Sequence, residues 1–272
     1  MKYLFFDIDG TLVSHNSGLI PSAKKAIEET RRQGNKCFLC TGRHLASLSS
    51  IKELEMDGVI YCNGGGIDMD GKVIRTDPIP HAVCSRTVYE AEKREGTYSL
   101  MSSWISLMND AMIDHIRKSV FYDPRYKTFE EKMEAFGAAP FTSYRDQEIL
   151  KIDIGFANEE IMDDFLKVMD PQLKLASTAG YNIAEGKRSG EITRKDVNKG
   201  TGIQKLIAML GADMKDTYGF GDSSNDLEMI EMCNTGIAMG NAFDEVKEKA
   251  GFITKNIDED GIEYAMKHFN LI

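Results

Sequence analysis

What this sequence lacks narrows its class before any motif is considered. No apolar run in its 272 residues approaches the roughly 20 residues that span a bilayer, which argues against a membrane protein. The opening segment turns acidic too soon for a secretory signal. The five cysteines are scattered and odd in number, which is typical of reduced thiols and not of a disulfide framework. We therefore expect a cytoplasmic protein.

An excess of positive charge is also missing. The chain has 33 Lys and Arg residues against 43 Asp and Glu residues, so its formal net charge is −10. Nucleic acids and anionic membranes bind basic surfaces, and neither is expected as a partner here. An anionic substrate would need a local cluster of cations or a metal ion to offset the long-range repulsion.

Two of the cysteines, Cys37 and Cys40, have the C-x-x-C spacing of a metal or redox pair. They lie inside an apolar run that reads as a strand. Residues three apart on a strand point to opposite faces of the sheet, so the geometry disfavours a shared metal ion or a redox pair. We interpret both as structural residues.

Strands and helices alternate in the first part of the chain. Residues 3–6, 36–40 and 59–62 are continuous apolar runs typical of buried strands, and helices are predicted over 21–33 and 44–55. Fully apolar strands separated by helices indicate a parallel sheet that is covered on both faces. The fold class expected is α/β, with a Rossmann-like parallel-sheet core.

The alternation stops in the middle of the chain and later resumes. A hairpin is predicted around Asp70-Gly71, and residues 81–186 then mix helical and strand patterns. The strand–helix rhythm returns from about residue 202. We therefore expect one core domain at residues 1–80 and 187–272, interrupted by an α+β domain at residues 81–186.

The segment with the clearest chemical content is Asp7-Ile8-Asp9-Gly10-Thr11, directly after the first strand. Side chains two apart on an extended segment point the same way, so Asp7 and Asp9 should face one small space. Two close carboxylates are unfavourable unless a cation or a shared proton relieves them. A calcium loop would need further oxygen ligands, whereas Leu12 and Val13 follow here.

Three other polar or glycine-rich segments also follow predicted strands: residues 41–43, 63–66 and 221–226. In a parallel sheet the carboxyl ends of the strands converge on one crevice, where ligands bind. The combined set of carboxylates, hydroxyl, amide and nearby cations suits phosphoryl transfer assisted by Mg²⁺. A carboxylate can then act as the nucleophile on phosphorus.

Four segments of the chain, three of them named above, resemble the motifs of the haloacid dehalogenase (HAD) superfamily in residue type and in order. They are residues 7–11, 41–43, 198–200 and 221–226. The long insertion between the second and third motifs resembles that of the Cof-type, or IIB, subfamily. The resemblance implies a HAD-like core with an inserted cap domain that influences substrate choice.

By this resemblance the carboxylates take different roles. Asp7 is expected to be the nucleophile and a Mg²⁺ ligand. Asp9 is expected to be the general acid and base, and to bind Mg²⁺ through its backbone carbonyl. Lys199 would neutralise the nucleophile and the phosphoryl group, and Asp222 would be a further Mg²⁺ ligand. Asp226 would support the metal site or Lys199.

The same resemblance implies a phosphate site. Thr41 and the backbone amide of Gly42 are expected to hold phosphoryl oxygens, together with Lys199 and Asn225. Arg43 either contacts the ligand or pairs with a core carboxylate. We therefore assign Arg43 only a supporting role.

The expected function is that of a Mg²⁺-dependent phosphatase acting on a small phosphorylated metabolite, such as a sugar phosphate, through an aspartyl-phosphate. A phosphomutase of the same superfamily is one alternative, because mutases share the first motif. A sensor that binds a phosphorylated ligand without turnover is an alternative of another class. Neither the substrate nor the choice between a monomer and a weak homodimer is specified by the sequence.

Three kinds of residue allow a structural interpretation beside a functional one. Asn63, with the glycines that follow it, is more typical of a turn than of a substrate contact. Trp104, the one tryptophan, suits packing better than a substrate pocket. The five histidines cluster neither with the cysteines nor with each other, and we interpret them as surface or structural residues.

Overall fold

The chain forms two units in the computed structural model, which describes residues 1–14, 17–119, 126–177 and 188–272. The first unit comprises Met1–Gly42, Ser50–Thr76 and Asp196–Ile272, and the second comprises Arg43–Ser49 and Asp77–Lys195. The chain therefore enters the second unit twice, once through a very short segment. The interpretation of residues 81–186 as a cap on a core stays a prediction.

The strands of both units are short, with two to seven residues each. Those in the described residues are β1 (Tyr3–Phe6), β2 (Val13–Ser14), β3 (Gly18–Leu19), β4 (Lys36–Cys40), β5 (Gly58–Tyr61), β6 (Gly66–Met69), β7 (Lys72–Thr76), β8 (Thr97–Met101), β9 (Ser106–Met108), β10 (Ala138–Pro140), β11 (Lys151–Phe156), β12 (Leu173–Ser177), β13 (Arg188–Arg194), β14 (Thr217–Gly221), β15 (Thr235–Ala238) and β16 (Phe252–Ile253).

The α-helices are distributed over both units. In the described part of the chain they are α1 (Pro21–Arg32), α2 (His81–Glu92), α3 (Asp110–Ser119), α4 (Phe129–Ala135), α5 (Glu159–Val168), α6 (Lys199–Met209), α7 (Leu227–Met232), α8 (Asp244–Lys249) and α9 (Gly261–His268). Among the residues described, none of these helices has the length and apolar character that crossing a membrane requires.

The sheet of the first unit has eight strands in the order β16-β15-β14-β1-β4-β5-β6-β7. The strands from β16 to β5 are parallel, and the β6–β7 hairpin adds two antiparallel strands at one edge. The first strand of the chain thus lies between β4 and β14, which come from opposite ends of the sequence. This arrangement confirms the predicted α/β class with a parallel-sheet core.

Burial explains why these segments form a sheet covered by helices. All four residues of β1 are buried, which fits a strand packed on both faces. Helix α1 begins at Pro21, where the missing N–H of proline costs no hydrogen bond. Its buried residues recur at helical spacing and form one face toward the core: Ala23, Ala26, Ile27 and Thr30.

Aromatic pairs join the central strands. The ring of Phe6 on β1 stacks on Phe220 of β14 with centroids 4.7 Å apart, and Phe5 stacks on Phe38 of β4 at 5.2 Å. These four side chains are at most 1% exposed. The pairs therefore help to fix β1 between its two neighbours, and the carboxyl ends of the three strands lie side by side.

The second unit is built on a six-stranded sheet in the order β10-β9-β8-β11-β13-β12. Neighbouring strands are antiparallel except for β9 and β10. One face carries an apolar core that includes Leu100, Ile152 and Ile192, with Phe165 of α5 packed among them. This unit therefore has a hydrophobic core of its own.

The prediction of an α-helix over residues 44–55 was wrong. The structure has a 3₁₀ helix over Leu45–Ile51 instead. The carbonyl of His44 accepts hydrogen bonds from both the backbone N–H (3.1 Å) and the hydroxyl (2.8 Å) of Ser47. Serine side chains that bond to nearby backbone compete with the α-helical pattern, so the leucine spacing alone was not sufficient.

Replacing Phe220 with alanine tests the packing of the central strands. The side chain is fully buried, so its loss should lower the free energy of unfolding by about 3 to 5 kcal/mol. Chemical denaturation measures this change. Phe243→Ala, at a side chain that is 43% exposed, is the matched control and should leave the midpoint nearly unchanged. Equal midpoints for the two variants would contradict the proposed role of the aromatic pairs.

Candidate active site

The site lies where the central strands of the first unit end. Asp7 follows β1, Thr41 follows β4 and Asp222 follows β14. The backbone N–H of Asp7 donates to the carbonyl of Phe220 at 2.9 Å, and that of Thr41 donates to Ile60 at 2.9 Å. The strand pairing thus continues into the motif residues and fixes the position of their backbones.

A tight turn after β1 brings Asp222 close to the first motif. Gly10 has φ +87°, and a Cβ at this position would lie 2.2 Å from Oδ2 of Asp222. Only glycine allows both this backbone conformation and this approach. The hydroxyl of Thr11 donates to Oδ1 of Asp222 at 3.2 Å. The Asp7–Thr11 motif and the segment after β14 therefore form one structural unit.

Lys199 is the buried cation of the site. Its side chain is fully buried, and Nζ lies 2.5 Å from Oδ1 of Asp7 and 2.6 Å from Oδ1 of Asp226. It is the first residue of α6, whose N-cap is Asn198, and the side chain of Asn198 accepts from the backbone N–H of Thr201 at 2.7 Å. This cap fixes the start of the helix and hence the base of the lysine side chain.

Both carboxylate oxygens of Asp226 accept hydrogen bonds. One oxygen contacts Lys199, and the other accepts hydrogen bonds from the backbone N–H groups of Asp222 (3.0 Å) and Ser223 (3.1 Å). Gly221 lies against this carboxyl group, since a Cβ there would be 2.5 Å from Cγ of Asp226. Asp226 therefore orients Lys199 and the loop that carries Asp222.

The surroundings raise the pKa values of three charged side chains in this cluster: Asp7, Asp222 and Lys199. Burial raises the pKa of Asp7 well above its ordinary value, and the nearby charge of Asp226 raises it further, while Lys199 opposes both effects. Burial and Asp226 also raise the pKa of Asp222, to about 7. Burial lowers the pKa of Lys199, but attraction by Asp226 and Asp7 outweighs it, so this pKa is raised and the amine stays charged.

These residues fit a metal ion. Asp7, Asp222 and Asp226 each place a carboxylate oxygen within 4.8 Å of the others. Three carboxylates beside one lysine leave excess negative charge in a buried space, which a divalent cation would relieve. Oxygen donors of this kind suit hard cations. Asp9, the other predicted ligand, is exposed, and its proposed contact through the backbone carbonyl stays a prediction.

The predicted phosphate residues lie on neighbouring segments. Thr41 is 1% exposed, and its carbonyl accepts from the backbone N–H of Asn63 at 2.9 Å. The side-chain amide of Asn225 donates to Oδ1 of Asn63 at 3.3 Å. Gly42 is half-buried at the end of the first unit's opening segment. Asn63 thus links Thr41 with Asn225.

Arg43 is placed differently from the other predicted residues. It belongs to the second unit, as the first residue of the Arg43–Ser49 segment. Its guanidinium donates to the carbonyl of Ser47 at 3.3 Å, which is a contact within that segment. Its supporting role toward a ligand stays a prediction.

Two asparagines contribute to the site more than the sequence indicated. Asn63 does form a turn, with φ +53°, but its side chain also contacts Asn225. Asn241 donates from Nδ2 to the carbonyl of Gly10 at 2.8 Å and accepts from the backbone N–H of Ile257 at 2.9 Å. The glycines beside each asparagine were the available signal, since they allow close approach of the backbone.

The chain belongs to the haloacid dehalogenase-like hydrolase family, whose model matches residues 4–266. YkrA of Bacillus subtilis, a candidate phosphatase, is 32% identical over 274 residues, which cover all of this chain and 98% of YkrA. YcsE of the same organism, a 5-amino-6-(5-phospho-D-ribitylamino)uracil phosphatase, is 25% identical over all of this chain and 96% of its own length.

A solved structure agrees with this assignment. The HAD subclass IIB sugar phosphatase BT4131 has a TM-score of 0.83 and 29% identity to this chain, and the match covers all of both chains. The prediction of an enzyme of the HAD class, of Cof type and related to phosphatases, is confirmed. The predicted roles of individual site residues stay predictions.

Replacing Lys199 with methionine tests the electrostatic balance. Removal of one partner of a buried ion pair should destabilise the metal-free protein at pH 8 by about 3 to 5 kcal/mol, because two buried carboxylates lose their cation. A carboxyl whose folded pKa is raised stabilises the fold at low pH, and this contribution is lost as pH rises through that pKa. The variant should therefore be less destabilised at pH 5 than at pH 8.

Chemical denaturation in the presence of a chelator measures this difference. Lys249→Met is the matched control, because Lys249 pairs with Glu231 at 2.9 Å on the surface, where its side chain is 57% exposed. The control should unfold like the wild type at both pH values. A loss of stability in Lys199→Met that was the same at pH 5 and pH 8 would contradict the electrostatic explanation.

Proposed function

We propose that this protein is a Mg²⁺-dependent phosphatase that hydrolyses small phosphorylated metabolites, such as sugar phosphates, through an aspartyl-phosphate on Asp7. The observation that carries the proposal is the contact of one buried lysine with both Asp7 and Asp226, beside Asp222. A cytoplasmic location, and a lack of nucleic-acid or membrane partners, remain predictions.

The position of Lys199 supports a nucleophilic role for Asp7. A carboxylate attacks phosphorus only in its ionised form, and burial disfavours that form. The ammonium group 2.5 Å from Oδ1 favours ionisation and leaves the other carboxylate oxygen to react. The same positive charge would stabilise the negative charge on the phosphoryl oxygens in the transition state.

In the first half of the reaction, an oxygen of Asp7 forms a bond to phosphorus while the bond from phosphorus to the ester oxygen breaks. The leaving alkoxide needs a proton, and Asp9 is proposed to donate it, so that an alcohol departs. Ile8 is fully buried between the two aspartates, which anchors the segment that carries both carboxyl groups. The product is an aspartyl-phosphate.

In the second half, water attacks the phosphorus of the aspartyl-phosphate. Asp9, now ionised, accepts a proton from the water, and the bond from phosphorus to Asp7 breaks. Inorganic phosphate leaves, and both aspartates return to their starting states. Thr41, Gly42 and Asn225 are proposed to hold the phosphoryl oxygens throughout, so that the phosphorus stays in line with Asp7.

Asp7, Asp222 and the backbone carbonyl of Asp9 are the residues proposed to hold Mg²⁺. When bound, this ion would supply positive charge next to the phosphoryl oxygens. Asp226 is proposed to act indirectly, since both of its oxygens are already engaged by Lys199 and by the loop of Asp222.

Asp7→Asn tests the nucleophile. The amide cannot attack phosphorus, so phosphate release should fall by at least about 10³-fold. The measurement is a phosphate-release screen over phosphorylated metabolites with Mg²⁺, using this variant as the blank. Asp216→Asn is the matched control, because Asp216 forms a partly exposed pair with Lys2 at 2.7 Å, and its activity should match the wild type.

The same screen separates the alternative functions. A phosphatase releases inorganic phosphate from the substrate, whereas a phosphomutase yields an isomeric phosphate ester and little free phosphate. A sensor would bind metabolites without turnover. Near-wild-type phosphate release by Asp7→Asn would show that the proposed mechanism is wrong.

Asp222→Asn tests the metal site. Loss of one charged ligand should raise the Mg²⁺ concentration for half-maximal activity at least tenfold, since even the loss of an outer partner costs about 10- to 100-fold. Calorimetric titration of the protein with Mg²⁺ alone should show the same weakening without substrate. Unchanged affinity in both measurements would exclude Asp222 as a ligand, and Asp216→Asn again serves as the control.

A further inference from the structure

The Arg43–Ser49 segment connects the candidate phosphate site to the second unit along the chain. Thr41 and Gly42 belong to the first unit, and the next residue, Arg43, belongs to the second. Whatever holds this segment in place therefore also holds one end of the Thr41–Gly42 pair, through a single peptide bond. His44 lies three residues from Thr41, within about 11 Å at the 3.8 Å spacing of consecutive Cα atoms.

His44 is anchored inside the second unit. Its side chain is 1% exposed, and Nε2 lies 2.7 Å from the carbonyl of Phe136. A carbonyl can only accept, so Nε2 carries the proton. Phe136 is the C-cap of α4, and the last carbonyls of a helix lack partners within it. The histidine therefore supplies a hydrogen bond that the helix end needs.

The ring of His44 lies close to the backbone of Gly137. Gly137, directly after the C-cap, has φ +54°, and a Cβ there would lie 2.7 Å from both Cε1 of His44 and Cβ of Ala46. The carbonyl of Gly137 accepts from the backbone N–H of Ser106 at 3.0 Å, which ties this corner to β9. The backbone N–H of Leu45 donates to Ser103 at 3.0 Å.

The ring is kept in place although one of its nitrogens has no partner. Nδ1 of His44 is buried without a hydrogen bond in the described part of the chain. Burial lowers the pKa of His44 to about 4, and the bond to Phe136 opposes this effect only in part. The imidazole is therefore neutral at neutral pH, and its bond to Phe136 does not depend on pH in that range.

We propose that His44 is a positioning residue for the phosphate site, holding the Arg43–Ser49 segment to the end of α4 and thereby restraining the backbone amide of Gly42, the residue directly before the segment. This inference rests on the proposed function, in which Thr41 and Gly42 bind phosphoryl oxygens. A misplaced phosphate contact weakens binding and transition-state stabilisation even when the reacting groups are intact.

Three variants test the proposal: His44→Ala, His44→Gln and His44→Asn. Alanine removes the donor, and the shorter asparagine should place its amide too far from the carbonyl of Phe136. Glutamine can extend an amide donor toward the position of Nε2. We expect KM for the best substrate of the screen, and Ki for inorganic phosphate, to rise about tenfold in the Ala and Asn variants. The Gln variant should stay within about threefold of the wild type.

Phe165→Leu is the control for a merely structural effect. This side chain is fully buried in the core of the second unit and makes ring contact with Phe156 at 5.1 Å. The variant should lower the melting temperature but leave KM and the phosphate Ki unchanged. His81→Ala is a second control, because that imidazole is 66% exposed in the same unit.

The outcomes separate the two proposals. If Asp7→Asn retains activity, the proposed function fails, whatever His44 does. If Asp7→Asn is inactive but His44→Ala and His44→Asn bind phosphate like Phe165→Leu, the positioning role is overturned. The Gln and Asn pair keeps the test decisive if the Ala variant does not fold, because both retain a polar side chain, and equal behaviour of the two would also overturn the proposal.

Discussion

The structure of the candidate site depends on one buried interaction, the contact of Lys199 with Asp7 and Asp226. A fully buried lysine needs carboxylates to remain charged, and buried carboxylates need a cation to remain ionised. Each group therefore requires the others. With Asp222 added, negative charge exceeds positive charge, and a bound cation would relieve this excess.

The fold makes this interaction possible by joining the two ends of the chain. Asp7 follows β1 and Asp226 lies beyond β14. These two strands are parallel neighbours, and aromatic residues of β1 stack on residues of both β14 and β4. The carboxyl groups could not approach without Gly10 and Gly221, at which any side chain would collide with Asp222 or Asp226. The cap of α6 then aims the lysine from a third segment.

The elements that carry the site were predictable because their signals are local. Continuous apolar strands followed at once by polar residues identified the strand ends that bring Asp7, Thr41 and Asp222 into one sheet. The failed helix at residues 44–55 shows the limit of such signals, since bonds from Ser47 to His44 favoured a 3₁₀ turn over the leucine periodicity. The contacts of Asn63 and Asn241 depend on partners distant in sequence, which no local pattern reveals.

The same geometry explains why the chemistry can be read from the sequence more readily than the substrate. The residues proposed to act on the phosphoryl group or to hold the metal ion all belong to the first unit: Asp7, Lys199, Asp222 and Asn225. A phosphoryl group is the same in every phosphate ester, so these residues cannot distinguish one ester from another. Discrimination requires contacts with the leaving group, whose loss or gain changes transition-state binding. Such contacts can be made by many residue types, and for that reason they produce no motif.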